Sequence, residues 1–313
     1  MHVRTKADMK DNGAPTHPAP ARHTVPTPDD DHLAAMTRSA LLLLADSRFP
    51  AGAHAHSGGL EAAAAAGRVH DAESLHEFLA GRLHTGALLA AAFAAAACQA
   101  DRAETLAELD HEHDVRLVSP ALRQASRRLG RQLLRAARTA WPGPRLELLT
   151  ALTSGAPEAV GGDASDGAAA DSSIDSSAGS ESPVADAAAA PESPSPSPSL
   201  RVVGDGPHHP VVLGVVCAAA GLSAEDAAAC AVHGTLAVPA HAAVGLLGLD
   251  PYEVAGVLAR LTPAADRIAA RALTVARMAA LKNDFGLLPA LGAPLLDLTA
   301  EDHATWEVRR YAT

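Results

Sequence analysis

The chain is expected to fold as an all-α, compact multi-helix bundle, and three observations predict it. Its composition is alanine-rich and 48% hydrophobic but only 3% aromatic. That suits thin, closely packed helices and disfavours sheets, which draw on β-branched and aromatic cross-strand pairs. Apolar residues recur at helical spacing, no segment sustains a period of two, and helix-start residues stand before most apolar stretches.

Taken in order, residues 1–38 are rich in Pro, His, Thr and Asp, with acids and bases in balance. A segment with so little to bury cannot offset the entropy of ordering and is expected to be a disordered tail. Asp71 caps a long helix whose Leu75, Leu79, Leu83, Ala87, Ala90, Phe93, Ala94 and Ala97 form an apolar stripe with polar residues opposite. Ser119-Pro120 opens another, with Leu122, Ala125, Leu129, Leu133 and Ala136 along one face. Ser223 with Asp226, Asp250-Pro251, Thr262-Pro263, and Thr299 with Asp302 repeat such start signals, and each is read as opening a helix. The β-branched run Val211 to Val216 leads straight into Ala-rich helical sequence.

Between these lies a low-complexity insert, residues 155–206, made of Gly, Ala, Ser, Asp and Pro. It holds nine acids against Arg201 alone and is expected to be disordered. Of the formal net charge of −11, −8 sits there, so the rest is nearly neutral. The expected organisation is a disordered tail over 1–38 and a single all-α domain over 39–313, interrupted by that insert.

Three widely spaced cysteines (Cys98, Cys217, Cys230) make neither a disulfide framework nor a C-x-x-C site, which points to a reducing, cytoplasmic setting. The first residues carry no apolar h-region, and the apolar run from Gly86 to Cys98 is short of the ~20 residues of a membrane span.

The densest stretch is Leu41 to Glu61, LLLLADSRFPAGAHAHSGGLE. An apolar run ends at Asp46-Ser47, the chain turns through Pro50, Ala51 and Gly52, and Ser57-Gly58-Gly59 leads into a helix. A serine hydrolase using Ser57 with His56 is one reading, since residues 55–59 approximate a G-x-S-x-G elbow. That motif needs a buried strand before the serine, which residues 48–53 cannot form. Histidine pairs (His54/His56, His111/His113, His208/His209) invite a metal reading but lack zinc-type spacing, so solvated loop histidines are expected. On the 119–140 helix, Arg123, Arg127, Arg131, Arg135 and Arg138 fall in a stripe with Arg128 beside it. A solvated face, an acidic partner and a nucleic acid all remain open for it, nucleic acid least because no aromatics interleave.

The segment LADSRFPAGAHAHSGGLE closely resembles the signature of the urease accessory protein UreF family, roughly L-x-D-S-x-x-P-x-G-x-x-x-H-S-x-G-L-E. The match falls on Leu44, Asp46, Ser47, Pro50, Gly52, His56, Ser57, Gly59, Leu60 and Glu61. Further stretches are similar in order: Arg123 to Leu134, His209 to Gly214, and the ending Arg309-Arg310-Tyr311-Ala312-Thr313. The resemblance implies an all-helical, non-enzymatic chaperone acting as a homodimer, without a cofactor or metal site of its own. It also implies binding to UreD (UreH), recruitment of the GTPase UreG, and assistance to nickel insertion into the urease apoenzyme, with neither nucleic acid nor membrane involved. Asp46, Ser47, Pro50, Gly52, His56, Ser57, Gly59 and Glu61 would then form or brace the partner surface. Arg309 and Tyr311 would anchor the UreD contact as the tail becomes ordered. Three departures stand out: Gly245 where many members have Arg, Val232 before His233 where a Tyr is common, and Arg310 in place of Leu in the ending.

Overall fold

The computed structural model describes residues 38–46, 48–153 and 206–311. The expected tail and insert lie, but for their edges, outside the described residues. Within these the chain is helical, with no strand. Residues 38–45 form α1, followed by α2 (Leu60–Ala65), α3 (Ala72–Arg82), α4 (Leu88–Gln99), α5 (Ala103–Arg116), α6 (Pro120–Ala140) and α7 (Pro144–Thr153). After the insert come α8 (His209–Ala219), α9 (Ala224–Leu247), α10 (Pro251–Lys282) and α11 (Pro294–Ala304).

The start signals act as their chemistry requires. Asp71 and Ser74 form a reciprocal capping box on α3, as Ser223 and Asp226 do on α9. Ser119 caps α6 with Pro at the first position, and Asp250 does the same for α10. Two of the expected starts fall instead inside helices. α10 runs on through Pro263, which is exposed, so the lost backbone donor faces water. α11 begins at Pro294, and Thr299 inside it turns its hydroxyl back to the Leu295 carbonyl.

α3 and α4 are one continuous helical stretch, Ala72–Gln99, joined by a π-helical turn, Leu83–Ala87. α3 keeps the expected stripe, with Leu75 and Leu79 buried, whereas α4 is buried on nearly all sides, against α8, α9 and α10. This stretch and Ala224–Leu247 have the length and composition to cross a membrane, but half or more of each apolar window is buried inside the bundle. They are core helices here, which is what alanine allows: small side chains bring axes close on every side.

α4 and α8 approach closely at Gly214. A Cβ built there would stand 2.2 Å from the Ala94 carbonyl oxygen and 2.8 Å from the Ala97 Cβ. Gly214→Ala is therefore expected to force α4 and α8 apart and cost about 1–3 kcal/mol, read from urea unfolding followed by circular dichroism. An unchanged midpoint would show that the two helices have room to spare.

Candidate functional site

The signature turn is built from local chemistry. Arg48 binds Asp46 with both its side chain (Nη2 to Oδ2 2.7 Å) and its amide (N to Oδ1 2.9 Å). Those contacts, side chain first, hold the Asp46 carboxyl at about 2. Pro50 is exposed, and Ser47 lies outside the described residues. Gly52 has φ +79°, and a Cβ there would fall onto the Gln132 side chain of α6, so only glycine suits both the backbone and the space. Gly59, φ +86°, lets Leu296 of α11 approach to 3.2 Å of where a Cβ would be.

Ser57 is 1% exposed, and its hydroxyl oxygen accepts the Glu61 amide at 3.3 Å. It acts on the first turn of α2 and is shut away from solvent, the opposite of the raised, accessible hydroxyl that a nucleophile elbow presents.

Glu61 is the centre of the site. Its Oε1 accepts the Arg310 amide at 2.8 Å, and its Oε2 accepts the Tyr311 amide at 2.9 Å and faces His303 Nε2 at 3.1 Å. One carboxylate thus ties the start of α2 to the end of α11 and to the chain terminus. Burial raises the Glu61 pKa, but the two amides and His303 outweigh it and leave the carboxyl below its usual range. A depressed carboxylate contributes stability above its unfolded pKa and loses it as pH falls through the folded value. Hydrogen exchange of the Arg310 and Tyr311 amides should accordingly accelerate beyond its intrinsic pH dependence as pH falls below the ordinary glutamate range; a pH-independent protection factor would contradict this role.

Two of the three departures from the family pattern, Gly245 and Arg310, meet at this point. Arg310 Nη1 donates to the Gly245 carbonyl at 2.7 Å, and a Cβ on Gly245 would stand 3.2 Å from the Tyr311 hydroxyl. The bare backbone at 245 gives the terminus both an acceptor and space. Of the two anchors expected from sequence, Tyr311 is half-buried against this surface and Arg309 is exposed. Sequence reasoning missed His303, Arg310 and the receiving side of Gly245; only the departures themselves flagged the last two.

Beside the terminus, a pocket of about 590 Å³ is lined by Asp46, Phe49, His54, His56, His233 and Tyr311 among others. Several histidines surround it, but no cluster of His, Cys, Asp and Glu among the described residues has metal-binding geometry. The expectation of solvated histidines needs correction. His54 and His111 are exposed, whereas His56, His113, His208 and His303 are buried. Burial first, then His56 beside it, pushes His209 down to about 4.

The arginine stripe needs correction as well. Arg127 is 6% exposed and faces inward, pairing with Asp110 at 3.0 Å and Asp114 at 2.6 Å on α5. Asp110 also accepts the His208 amide at 2.6 Å, and the His208 ring bridges Ser126 (Nδ1, 3.0 Å) and Asp114 (Nε2, 2.9 Å). Burial lowers the His208 pKa despite those acids. A neutral ring protonated on Nε2 satisfies both contacts, donating to Asp114 and accepting from Ser126. α5, α6 and the start of α8 are pinned together by this layer. Arg123 turns to the carbonyls of Leu117 and Val118, while Arg128 and Arg135 remain exposed.

What the signature turn holds is the chain's own C-terminal segment, so fold and site together define an all-helical bundle whose signature turn seats that segment. The UreF family model matches residues 69–262. Among relatives named urease accessory protein UreF, one from a Mycobacterium species (strain JLS) is 34% identical over 278 residues, covering 88% of this chain and 99% of the relative. Another, from Mycobacterium tuberculosis (strain ATCC 25618 / H37Rv), is 35% identical over 269 residues, covering 86% and 95%. The relative from Mycobacterium marinum is 34% identical over 277 residues, covering 88% and 99%. The chain belongs to the UreF family of urease accessory proteins.

Proposed function

We propose that this protein is a non-enzymatic chaperone of urease maturation that binds UreD (UreH), recruits the GTPase UreG through it, and so assists nickel insertion into the urease apoenzyme. It works in the cytoplasm as a homodimer, and the nickel is cargo carried mainly by its partners. The observation that carries the reading is the seating of the C-terminal residues on Glu61 of the signature turn, which brings the signature and the family-like ending together on one surface. Apolar side chains of α11 and of the C-terminal segment stand in solvent: Leu298 is 71% exposed and Val308 88% exposed. Exposed apolar groups on the segments that carry the anchor suit a protein partner.

Removing residues 304–313 is expected to abolish copurification with coexpressed UreD and, through it, UreG, while the helical circular dichroism stays intact. Undiminished capture of UreD by the truncated protein would overturn the assignment of this surface.

A further inference from the structure

Two buried side-chain nitrogens among the described residues have no hydrogen-bond partner, Arg82 Nε and His113 Nδ1. Both residues line one cavity of about 290 Å³, adjacent to the pocket beside the terminus and separate from the Glu61 anchor. Buried polar atoms are almost always bonded, so two orphans on the wall of one space point to something polar that fills it.

Charge says what kind of group it is. The arginine ion pairs among the described residues involve Arg48, Arg102, Arg116 and Arg127, and not Arg82. Arg116 also lines the cavity, but its guanidinium is committed to Glu112 and to the carbonyls of Gly286, Leu288 and Pro289. Asp297 lies on the same wall without an ion pair to Arg82, and burial raises its pKa. For Arg82, burial lowers the pKa to about 10, so it stays a cation at neutral pH. Arg82 is half-buried, its guanidinium carbon stands 5.8 Å from the centre of the Phe78 ring, and no carboxylate among the described residues pairs with it, so an anion in the cavity would supply the missing counter-charge.

The backbone aims this arginine. Arg82 is the last residue of α3, directly before the π-helical turn Leu83–Ala87, and Gly86 of that turn lines the same cavity. Single π turns widen a helix locally and recur at functional positions. On the other side, Gly58, at the variable position between Ser57 and Gly59, has φ +58°, and a Cβ there would lie 3.5 Å from Arg82 Nη2, so the guanidinium lies within ordinary packing distance of this turn. His113 is 3% exposed, packed edge-on to Phe93, and burial keeps its ring neutral. In the Nδ1–H tautomer it presents a donor without adding charge. Most of the remaining wall is apolar, with Leu89, Leu129 and Leu213 on it, which strengthens any charge-assisted hydrogen bond made inside.

We propose that this cavity binds one small oxyanion of carboxylate size, seated on the Arg82 guanidinium. Purified full-length protein would be titrated at constant ionic strength with acetate, bicarbonate or inorganic phosphate, with chloride as the baseline. A saturable rise in melting temperature is expected for at least one of these, about 3–6 °C at ten times its dissociation constant. Arg82→Met should lose that response. In chloride alone it should melt close to the parent, because methionine keeps the apolar stem against Phe78 and no carboxylate loses a partner.

A response no larger than that of chloride would mean water alone fills the cavity, and a response retained in Arg82→Met would place the anion elsewhere; either result overturns the proposal. Should the variant fail to fold, the Arg82 Nε resonance of the ¹⁵N-labelled parent serves instead. It should move with the anion's titration curve, and a stationary resonance overturns the proposal equally.

Discussion

Glu61→Ala is expected to free the C-terminal residues from the bundle and to cut UreD copurification at least tenfold. The substitution removes the acceptor of two backbone amides and the partner of a buried histidine at once. Hydrogen bonds to a charged group contribute about 1.5–3 kcal/mol each, and the loss of the carboxylate that His303 Nε2 faces adds to this. Even half of one such bond would shift the docked and released populations severalfold. Glu61→Gln separates charge from shape: it keeps one acceptor oxygen, so its effect should lie between parent and alanine variant. Two measurements check the chain of cause. Hydrogen exchange at Arg310 and Tyr311 reports the anchor, and pull-down of coexpressed UreD reports the surface. Faster exchange with undiminished UreD capture would show that the docked terminus is not part of the partner surface.

Asp110→Ala should be the most damaging single change to stability, at about 3–5 kcal/mol, because it leaves Arg127 buried with half of its counter-charge. The same change removes the acceptor of the buried His208 amide. Asp110 is fully shielded, so water cannot take over either role. Asp110→Asn retains an acceptor and should cost less. Urea unfolding followed by circular dichroism reads both; an alanine variant within about 1 kcal/mol of the parent would show that the layer joining α5, α6 and α8 is replaceable by packing alone.

Much of the secondary structure is legible along the chain, and the reason is local. A capping box such as Asp71 with Ser74 is complete within four residues, and the Leu75–Leu79–Leu83 stripe repeats within two turns. The same locality explains the misreadings. Thr262-Pro263 and Thr299 with Asp302 carry the residue types of a helix start, but packing against neighbouring helices carries α10 and α11 through them. The arginine spacing on α6 reads as one solvated stripe because the acids that take Arg127 inward stand on another helix.

The sequence by itself determined the all-helical class, most helix starts, the signature turn and the family resemblance, since each is written in contiguous residues. Tertiary structure alone decided that Glu61 receives the amides of Arg310 and Tyr311, about 250 positions away, and that Gly245 faces Arg310. It also decided which histidines are buried, and that Arg82 and His113 share a cavity. Burial and long-range pairing depend on how helices cross. No local pattern encodes that geometry, because the same periodicity is compatible with many packings.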